Sequence, residues 1–135
     1  MIDVAIGDFE SLSESTSWRA INQLLAQIGQ KIETTCRRSD VSCYYENGEF
    51  LILLPEISKE STCRLAQQLH QQLKETIGSA QESQKLYLTA SVASYPTDGK
   101  TVPDMFHGLD EAMLLVKNSS GEGVAAANIG ALPPL

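Results

Sequence analysis

Cysteine is scarce in this chain of 135 residues, and its three copies form no recognisable motif. Cys36, Cys43 and Cys63 are odd in number, and no two of them stand in a Cys-x-x-Cys arrangement. Such a set of thiols argues against a disulfide framework and against metal ligation. We therefore expect a cytoplasmic protein with reduced thiols.

Basic residues are also few, with 10 Lys and Arg against 17 Asp and Glu and a formal net charge of −7. A nucleic-acid surface needs clustered Lys and Arg, so we predict no nucleic-acid partner. The local exception is the group of Lys31, Arg37 and Arg38, with Arg64 further along. No segment approaches the roughly 20 apolar residues that span a bilayer, and the first residues lack a signal-peptide pattern. We therefore predict no membrane insertion.

The chain does contain regular apolar patterns. Apolar residues recur every three or four positions in three segments, which predicts helices from about Trp18 to Ile32, Leu65 to Ile77 and Met105 to Val116. Short apolar or alternating runs predict strands at residues 1–6, a hairpin at 41–54, a strand at 85–95 and a weak edge strand at 123–129.

This order of elements favours one α+β domain. We predict a ferredoxin-like or palm-type arrangement, with a central, mainly antiparallel sheet and the helices packed on one of its faces. A chain of this length supports a single core. The domain is predicted to span residues 1–129. Residues 130–135, which include Pro133 and Pro134, are predicted to form a mobile C-terminal tail.

The most informative segment of the chain reads Glu-Asn-Gly-Glu-Phe. Asn-Gly favours a type I′ hairpin turn, because both residues tolerate a positive φ. Arg37-x-x-Asp40 precedes the segment, with five residues between them. Together the two motifs resemble a degenerate signature of the GGDEF, or diguanylate cyclase, family, in which Gly-Gly-Asp/Glu-Glu-Phe follows an Arg-x-x-Asp motif. The signature positions are occupied here by Glu46, Asn47, Gly48, Glu49 and Phe50. Glu46 and Glu49 could also hold a divalent ion, although carboxylates at a hairpin tip are more often simply solvated.

The resemblance extends over most of the chain. Phe9 stands where the family has the Phe of its Asp-x-Asp-x-Phe-Lys motif, and residues 93–99 are close to its Ala-x-Tyr-Pro-x-Asp-Gly motif. Asp110 and Lys117 keep the spacing of a motif on a later helix. The family's leading helix, with its Leu-Thr-Gly-Leu-x-Asn-Arg signature, is absent. We therefore expect either a trimmed chain or one domain of a longer protein.

The resemblance also implies what catalysis would require. Joining two GTP molecules needs metal ions that clamp the triphosphates, and the family supplies one carboxylate at the end of the first strand and another at the third signature position. Ala5 and Gly48 stand there, and Glu10 reverses the charge of a phosphate-contacting Lys. Lys117 is left as a candidate phosphate contact. We therefore predict that the chain is not an enzyme and has no catalytic residue, no metal and no cofactor.

The Arg-x-x-Asp motif implies a binding role, because in the family it is the inhibitory site for cyclic di-GMP. Arg37 would meet phosphate and the acceptor edge of guanine through its planar fork of donors. Asp40 would accept from the guanine N–H groups, Arg38 would add positive charge, and Arg64 would serve as a second arginine. We predict a catalytically inactive signalling domain that binds cyclic di-GMP there and regulates an attached domain or partner.

Two other interpretations stay open. An Arg and an Asp three residues apart are common on protein surfaces, where such an ion pair contributes less than about 1 kcal/mol. The domain could also be a nucleotide-independent scaffold, forming a homodimer or pairing with a partner signalling protein. Stabilisation by the ligand would separate a binder from a scaffold.

Overall fold

The computed structural model describes residues 1–80 and 87–135. The elements in these ranges are β1 (Ile2–Gly7), α1 (Phe9–Ser15), α2 (Trp18–Thr35), β2 (Val41–Glu46), β3 (Glu49–Leu53), α3 (Lys59–Ala80), β4 (Tyr87–Val92), α4 (Val102–Ser119), β5 (Gly123–Ala126) and β6 (Gly130–Leu132). The three predicted helices and the hairpin are confirmed. The first two residues of the strand predicted at 85–95 lie outside the described ranges. Within those ranges, no helix combines the length and the apolar character needed to cross a bilayer.

The six strands form one sheet in the order β2-β3-β1-β4-β5-β6. Neighbouring strands are antiparallel except β4 and β5, which are parallel and are connected through α4. The predicted α+β class with a mainly antiparallel sheet is therefore confirmed. Because β1 lies between β3 and β4, its C-terminal end comes close to the β2–β3 turn.

Helices cover both faces of the sheet, which corrects the prediction that they pack on one face. Ile2, Val4 and Ile6 of β1 belong to the main core, together with residues of α2 and α3. Helix α4 packs on the opposite face, where Met105 and Leu109 belong to a separate cluster. The apolar stripe of a helix predicts that it is buried, but not which face of the sheet it meets.

The C-terminal residues also differ from the prediction. The strand predicted at the edge is β5, which lies inside the sheet, and β6 forms the edge. The boundary predicted after residue 129 therefore falls within a hairpin, and the first residues of the predicted tail belong to the sheet. Beyond β6, the Pro133 carbonyl accepts a hydrogen bond from Gln67 Nε2 at 2.6 Å. Two consecutive prolines favour an unpaired segment at their own positions. They do not show whether the residues before them pair with β5.

Asp98 ties three separate parts of the chain together. Its Oδ1 accepts from Lys59 Nζ at 2.7 Å and from Asn128 Nδ2 at 2.9 Å, and its Oδ2 accepts from the Ser94 N–H at 2.8 Å. Lys59 also donates to the Ala127 carbonyl at 2.6 Å. Burial alone would raise the pKa of Asp98, but these donors outweigh burial and hold the pKa below its ordinary value. The Asp-Gly motif after β4 is thus a structural anchor for α3 and the β5–β6 turn.

Candidate functional site

The predicted type I′ turn is present at the tip of the β2–β3 hairpin. Asn47 and Gly48 have φ angles of 49° and 77°. The Gly48 N–H donates to Tyr44 Oη at 2.9 Å, and the Gly48 carbonyl accepts from the Ile6 N–H at 3.0 Å. The tip is therefore fixed against the end of β1.

Phe9, the first residue of α1, packs directly over this turn. A Cβ atom on Gly48 would lie 2.7 Å from both Cγ and Cδ2 of the Phe9 ring. That separation is shorter than any ordinary carbon–carbon contact. The space that a carboxylate at the third signature position would need is therefore filled by the ring.

A cleft of about 870 Å³ opens between the end of β1, the hairpin tip, α1 and the end of α4. Its lining carries both signs of charge, with the carboxyl groups of Asp8, Glu10 and Glu49 and the ammonium group of Lys117. This volume is in the range of small-molecule sites. The resemblance drawn from the sequence puts the catalytic cleft of the family at this position.

Glu49 is the half-buried carboxyl group of the cleft, and it stands opposite Ala5 in the β1–β3 ladder. Burial raises the pKa of Glu49, Lys117 opposes the rise, and Asp110 and Glu46 add to it. A cation that entered the cleft would therefore favour the ionised form of Glu49.

These residues do not fit the catalytic metal ions that the resemblance implies. Ala5 and Gly48 offer no side-chain ligand, and nowhere in residues 1–80 and 87–135 do three or more His, Cys, Asp or Glu come together in a group able to hold a metal ion. Magnesium requires several oxygen ligands in near-octahedral geometry. No metal-dependent step follows from this arrangement.

Asp3 is a buried carboxyl group that sequence reasoning missed. It lies on β1 opposite Ser91 of β4 and is 7% exposed. Asp3 Oδ1 and Ser91 Oγ both lack a hydrogen-bond partner in the described part of the chain. Burial raises the pKa of Asp3 to about 7, Glu49 and Asp110 add to the rise, and Lys117 opposes it. The available signal was a charged residue inside an otherwise apolar strand.

Arg37 and Asp40 are brought together in a closed fork between α2 and β2. Arg37 Nε and Nη2 donate to Asp40 Oδ1 at 3.0 and 2.7 Å, and the Arg37 backbone N–H donates to Oδ2 at 2.7 Å. Arg37 Nη2 also donates to the Pro55 carbonyl at 2.6 Å. The Asp40 side chain is fully covered, whereas the Arg37 side chain is 42% exposed. Asp40 therefore holds a guanidinium group that still faces solvent.

The carboxylate of Asp40 is committed to this fork. Burial alone would raise the pKa of Asp40, but the donors of Arg37 outweigh burial, and the pKa lies below its ordinary value. Both carboxylate oxygens accept from Arg37. The predicted acceptance of guanine N–H groups by Asp40 would therefore require Arg37 to release it. Arg37 Nη1 makes no hydrogen bond to any residue that the structure describes, and it remains available to a ligand.

The other two predicted arginines take no part in the fork. Arg38 is exposed in the turn beside Arg37. Arg64 lies on α3 and pairs with Glu60 at 2.8 Å, with both side chains largely exposed. The described residues show no hydrogen bond or ion pair between Arg64 and the fork. The structure therefore groups Arg37, Arg38 and Asp40 and leaves Arg64 apart.

A second cavity, of about 490 Å³, adjoins the fork. Its lining includes Ser39 and Val41, which flank Asp40, and Pro55, whose carbonyl binds Arg37. Sequence analysis did not predict this cavity, because its walls come from segments that are far apart along the chain. We call it the adjoining pocket.

The fold and these sites define a palm-type α+β domain with a hairpin-tip cleft and a separate Arg–Asp fork. The chain belongs to the GGDEF family: residues 1–122 match the family described as "Diguanylate cyclase, GGDEF domain". The resemblance seen in the sequence is thus confirmed at the level of the family.

Two curated proteins are similar to this chain in sequence. The cyclic di-GMP phosphodiesterase NbdA of Pseudomonas aeruginosa is 30% identical over 99 residues, which are 72% of this chain and 12% of the relative. The diguanylate cyclase DosC of Escherichia coli is 23% identical over 117 residues, which are 84% of this chain and 25% of the relative. The chain therefore spans a quarter or less of the length of these relatives.

Solved structures with low sequence identity share the fold. The GGDEF domain of PA1120 (YfiN or TpbB) from P. aeruginosa has a TM-score of 0.79 at 21% identity, over 96% of this chain and 81% of that one. The active GGEEF domain of a diguanylate cyclase from Vibrio cholerae has a TM-score of 0.76 at 16% identity, over 94% and 81%. The GGDEF domain of DgcB from Caulobacter crescentus, in complex with c-di-GMP, has a TM-score of 0.70 at 12% identity, over 93% and 75%.

The prediction that the chain is not an enzyme is contradicted by these findings. The matching family is that of the diguanylate cyclases, DosC is named as one, and the V. cholerae domain is described as active. The prediction rested on the two missing carboxylates, at Ala5 and Gly48, and on the reversed charge at Glu10. The cleft nevertheless keeps charged groups, among them Glu49 and Lys117, so the loss of two positions does not remove the chain from a family of enzymes.

Proposed function

We propose that this GGDEF domain binds cyclic di-GMP on the surface formed by Arg37, Arg38 and Asp40, and that binding regulates an attached domain or a partner protein. The observation that carries the proposal is the fork, in which a covered Asp40 carboxylate holds a solvent-facing guanidinium group in one position. A group that is already positioned loses less conformational entropy when a ligand binds.

The ligand chemistry suits this surface. Cyclic di-GMP carries two phosphates and two guanines, and an arginine can bind a phosphate oxygen or the O6 and N7 acceptors of guanine. Arg37 Nη1 is free of protein hydrogen bonds in the described ranges, and Arg38 lies next to it in an exposed turn. Two adjacent cations favour a dianionic ligand in a chain whose net charge is −7.

Relatives support the same ligand class. NbdA is named a cyclic di-GMP phosphodiesterase, and the DgcB domain was solved in complex with c-di-GMP. A partner is supported by the diguanylate cyclase SiaD of P. aeruginosa, whose structure contains its activator SiaC. The proposal brings to this chain the ligand of the first two proteins and, from the third, a complex with a partner protein.

Calorimetric titration with cyclic di-GMP tests the proposal. We expect Arg37→Ala to weaken binding about tenfold or more, because it removes charge-assisted hydrogen bonds, and Asp40→Asn to weaken it by releasing the fork. Arg64→Ala should bind like the wild type, because Arg64 is engaged with Glu60.

Arg19→Ala is the matched control, since it removes the same charge from an exposed position on α2. If the wild type shows no heat of binding at high micromolar ligand, the proposal is wrong and the scaffold interpretation is favoured. If Arg37→Ala and Arg19→Ala weaken binding equally, the effect is due to the net charge of the protein, and the fork is not part of the binding site.

A further inference from the structure

The two edges of the sheet differ in how well they are protected against pairing with another chain. At one edge, β6 has only three residues, and Pro133 and Pro134 follow it directly. A short strand and nearby prolines are devices that keep a sheet edge from pairing with a foreign strand. At the other edge, β2 has six residues and contains no Pro, Gly or Lys. The β2 edge therefore lacks the protection that the β6 edge has.

The backbone of β2 is open to solvent along its outer side. All six of its residues are exposed, and β3 is its single neighbour among the strands that the structure describes. The ladder with β3 is regular from Val41 to Tyr44 and becomes irregular only towards Glu46, at the hairpin tip. A strand with one neighbour leaves a row of N–H and C=O groups unpaired on its other side. These groups can form a ladder with a strand of another chain.

Apolar side chains accompany this open edge on one face of the sheet. Tyr45 stacks on Phe106 of α4, with ring centroids 6.3 Å apart, so its side chain lies on the α4 face. Side chains alternate along a strand, which puts Val41 and Cys43 on the same face. The exposed fractions of Val41, Tyr45 and the neighbouring Leu53 are 59%, 54% and 44%. Apolar groups clustered beside open backbone groups mark a surface for a protein partner.

The charge and symmetry of the edge favour a second copy of this chain as that partner. The chain carries a net charge of −7, but the five residues from Val41 to Tyr45 are all uncharged. Two copies therefore meet here without like charges in direct opposition. A two-fold axis perpendicular to the sheet brings β2 beside its own copy in the antiparallel direction. Such an interface closes on itself, because each copy uses its one open edge.

The pattern of side chains selects one register for this pairing. A two-fold axis at Cys43 sets Val41 opposite Tyr45 of the second copy, and a β-branched residue opposite an aromatic one is a favourable cross-strand pair. All paired residues are then uncharged. Moving the axis by one residue in either direction would bring Asp40 or Glu46 into the ladder.

We propose that two copies of this domain associate through their β2 strands, paired antiparallel about a two-fold axis at Cys43, so that the two sheets become continuous. The interface does not involve cyclic di-GMP, and its test is carried out without that ligand. The failure of this inference is therefore distinguishable from the failure of the proposed function.

Disulfide cross-linking tests the register. Cys43 is exposed, whereas Cys63 is buried and Cys36 is half-buried. Directly opposed residues in an antiparallel pair have Cα atoms about 4.5–5.5 Å apart, which suits a disulfide. Under a mild oxidant, which takes two electrons and two protons from the two thiols, we expect the wild type to form a covalent dimer that a reductant reverses. Cys43→Ser should form none.

A cysteine at the neighbouring position separates a specific register from random collision. In the proposed register, two cysteines at position 42 would be offset by two residues along the strands, with Cα atoms roughly 8 Å apart, beyond the reach of a disulfide. The double variant Ser42→Cys with Cys43→Ser should therefore cross-link at least about tenfold more slowly than the wild type. Equal rates would mean that the thiols meet by collision, and the proposed register would be wrong.

Sedimentation equilibrium under reducing conditions tests the interface without a cross-link. We expect a monomer–dimer equilibrium in the wild type and a dimer at least about tenfold weaker in Val41→Lys, because a lysine on an edge strand opposes pairing. Leu115→Lys adds the same charge at a position that is 53% exposed and should dimerise like the wild type. Leu115 follows Phe106 by nine residues, or two and a half turns, so it lies on the opposite side of α4. Circular dichroism of each variant verifies that it is folded.

Three outcomes would overturn the inference. A wild type that stays monomeric up to high micromolar concentration would exclude the second copy and leave a strand of a different protein as the occupant of the edge. A dimer that Val41→Lys does not weaken would place the contact on another surface. Species that grow beyond the dimer would show an interface that does not close, which is incompatible with a two-fold axis at Cys43.

Discussion

At the scale of single residues, Asp3 has an environment far from that of a free side chain. It is buried in the central strand, its Oδ1 has no partner among the described residues, and its pKa is raised to about 7. The ionised form is therefore disfavoured in the folded chain, whereas in the unfolded chain Asp ionises near pH 4. Between these two values the folded state binds more protons than the unfolded state.

The direction in which the free energy of unfolding changes with pH follows from the difference in bound protons between the two states. The free energy of unfolding should fall as the pH rises from about 4 to about 8, because ionising Asp3 costs free energy only in the fold. We expect Asp3→Asn to flatten this dependence and to be more stable than the wild type at pH 8, by on the order of 3 kcal/mol. At pH 4 the two proteins should differ little.

Urea unfolding of both proteins at several pH values measures the effect. Glu75→Gln, a neutralisation at an exposed position on α3, should keep the pH dependence of the wild type. If stability instead rises between pH 4 and pH 8 and Asp3→Asn leaves that slope unchanged, then Asp3 is ionised in the fold and our description of its surroundings is wrong.

At the scale of elements, the hairpin tip and α1 depend on each other through one close contact. Gly48 has a φ of +77°, and a Cβ there would lie 2.7 Å from the Phe9 ring. We expect Gly48→Ala to lower the free energy of unfolding by about 2–4 kcal/mol, which combines left-handed strain with overpacking against Phe9.

Gly121 is the matched control, because its φ of +76° is nearly the same and the nearest atom to an added Cβ is 3.9 Å away. Gly121→Ala should cost only the backbone strain, about 1 kcal/mol. A Phe9→Ala background removes the ring and leaves only the Cβ of residue 9, which lies 3.0 Å from the added Cβ. Gly48→Ala should therefore cost less there than in the wild type, and a double-mutant cycle measures the difference. Equal costs at Gly48 and Gly121 in the wild-type background would mean that the ring moves away freely.

Local chemistry explains which elements the sequence predicts well. Asn47-Gly48 specifies its own turn through the backbone. Arg37 and Asp40 are only three residues apart, so the sequence alone predicts that they lie together. The adjoining pocket could not be found in this way, because its walls, which include Val41, Pro55 and Tyr95, come together only after β3 and β4 have been placed in the sheet. The same holds for the covering of both faces of the sheet and for β6, whose pairing depends on β5.

At the scale of the whole molecule, the hairpin separates two sites. The Arg37–Asp40 fork precedes the first residue of β2, and the cleft lies at the turn that follows its last residue. A strand of six residues extends roughly 20 Å, so a ligand on the fork does not occupy the cleft. The β2–β3 hairpin, which contacts β1, connects the two sites.

This separation gives the last prediction, which concerns the stability of the whole domain. A ligand that binds only the folded state at a hundred times its dissociation constant adds about 2.7 kcal/mol to the free energy of unfolding. For a domain of this size that corresponds to a rise of several degrees in the melting temperature. We expect cyclic di-GMP to produce such a rise in the wild type and in Arg19→Ala, and a much smaller one in Arg37→Ala at the same concentration.

The location of the binding site decides how the same experiment responds to changes in the cleft. Lys117→Ala alters the cleft and leaves the fork untouched, so it should retain the full rise in melting temperature with cyclic di-GMP. If Lys117→Ala abolishes the rise while Arg37→Ala preserves it, the dinucleotide binds in the cleft, and the fork is an ordinary surface ion pair. If neither variant changes a rise seen in the wild type, the ligand lies elsewhere on the domain and both sites are excluded.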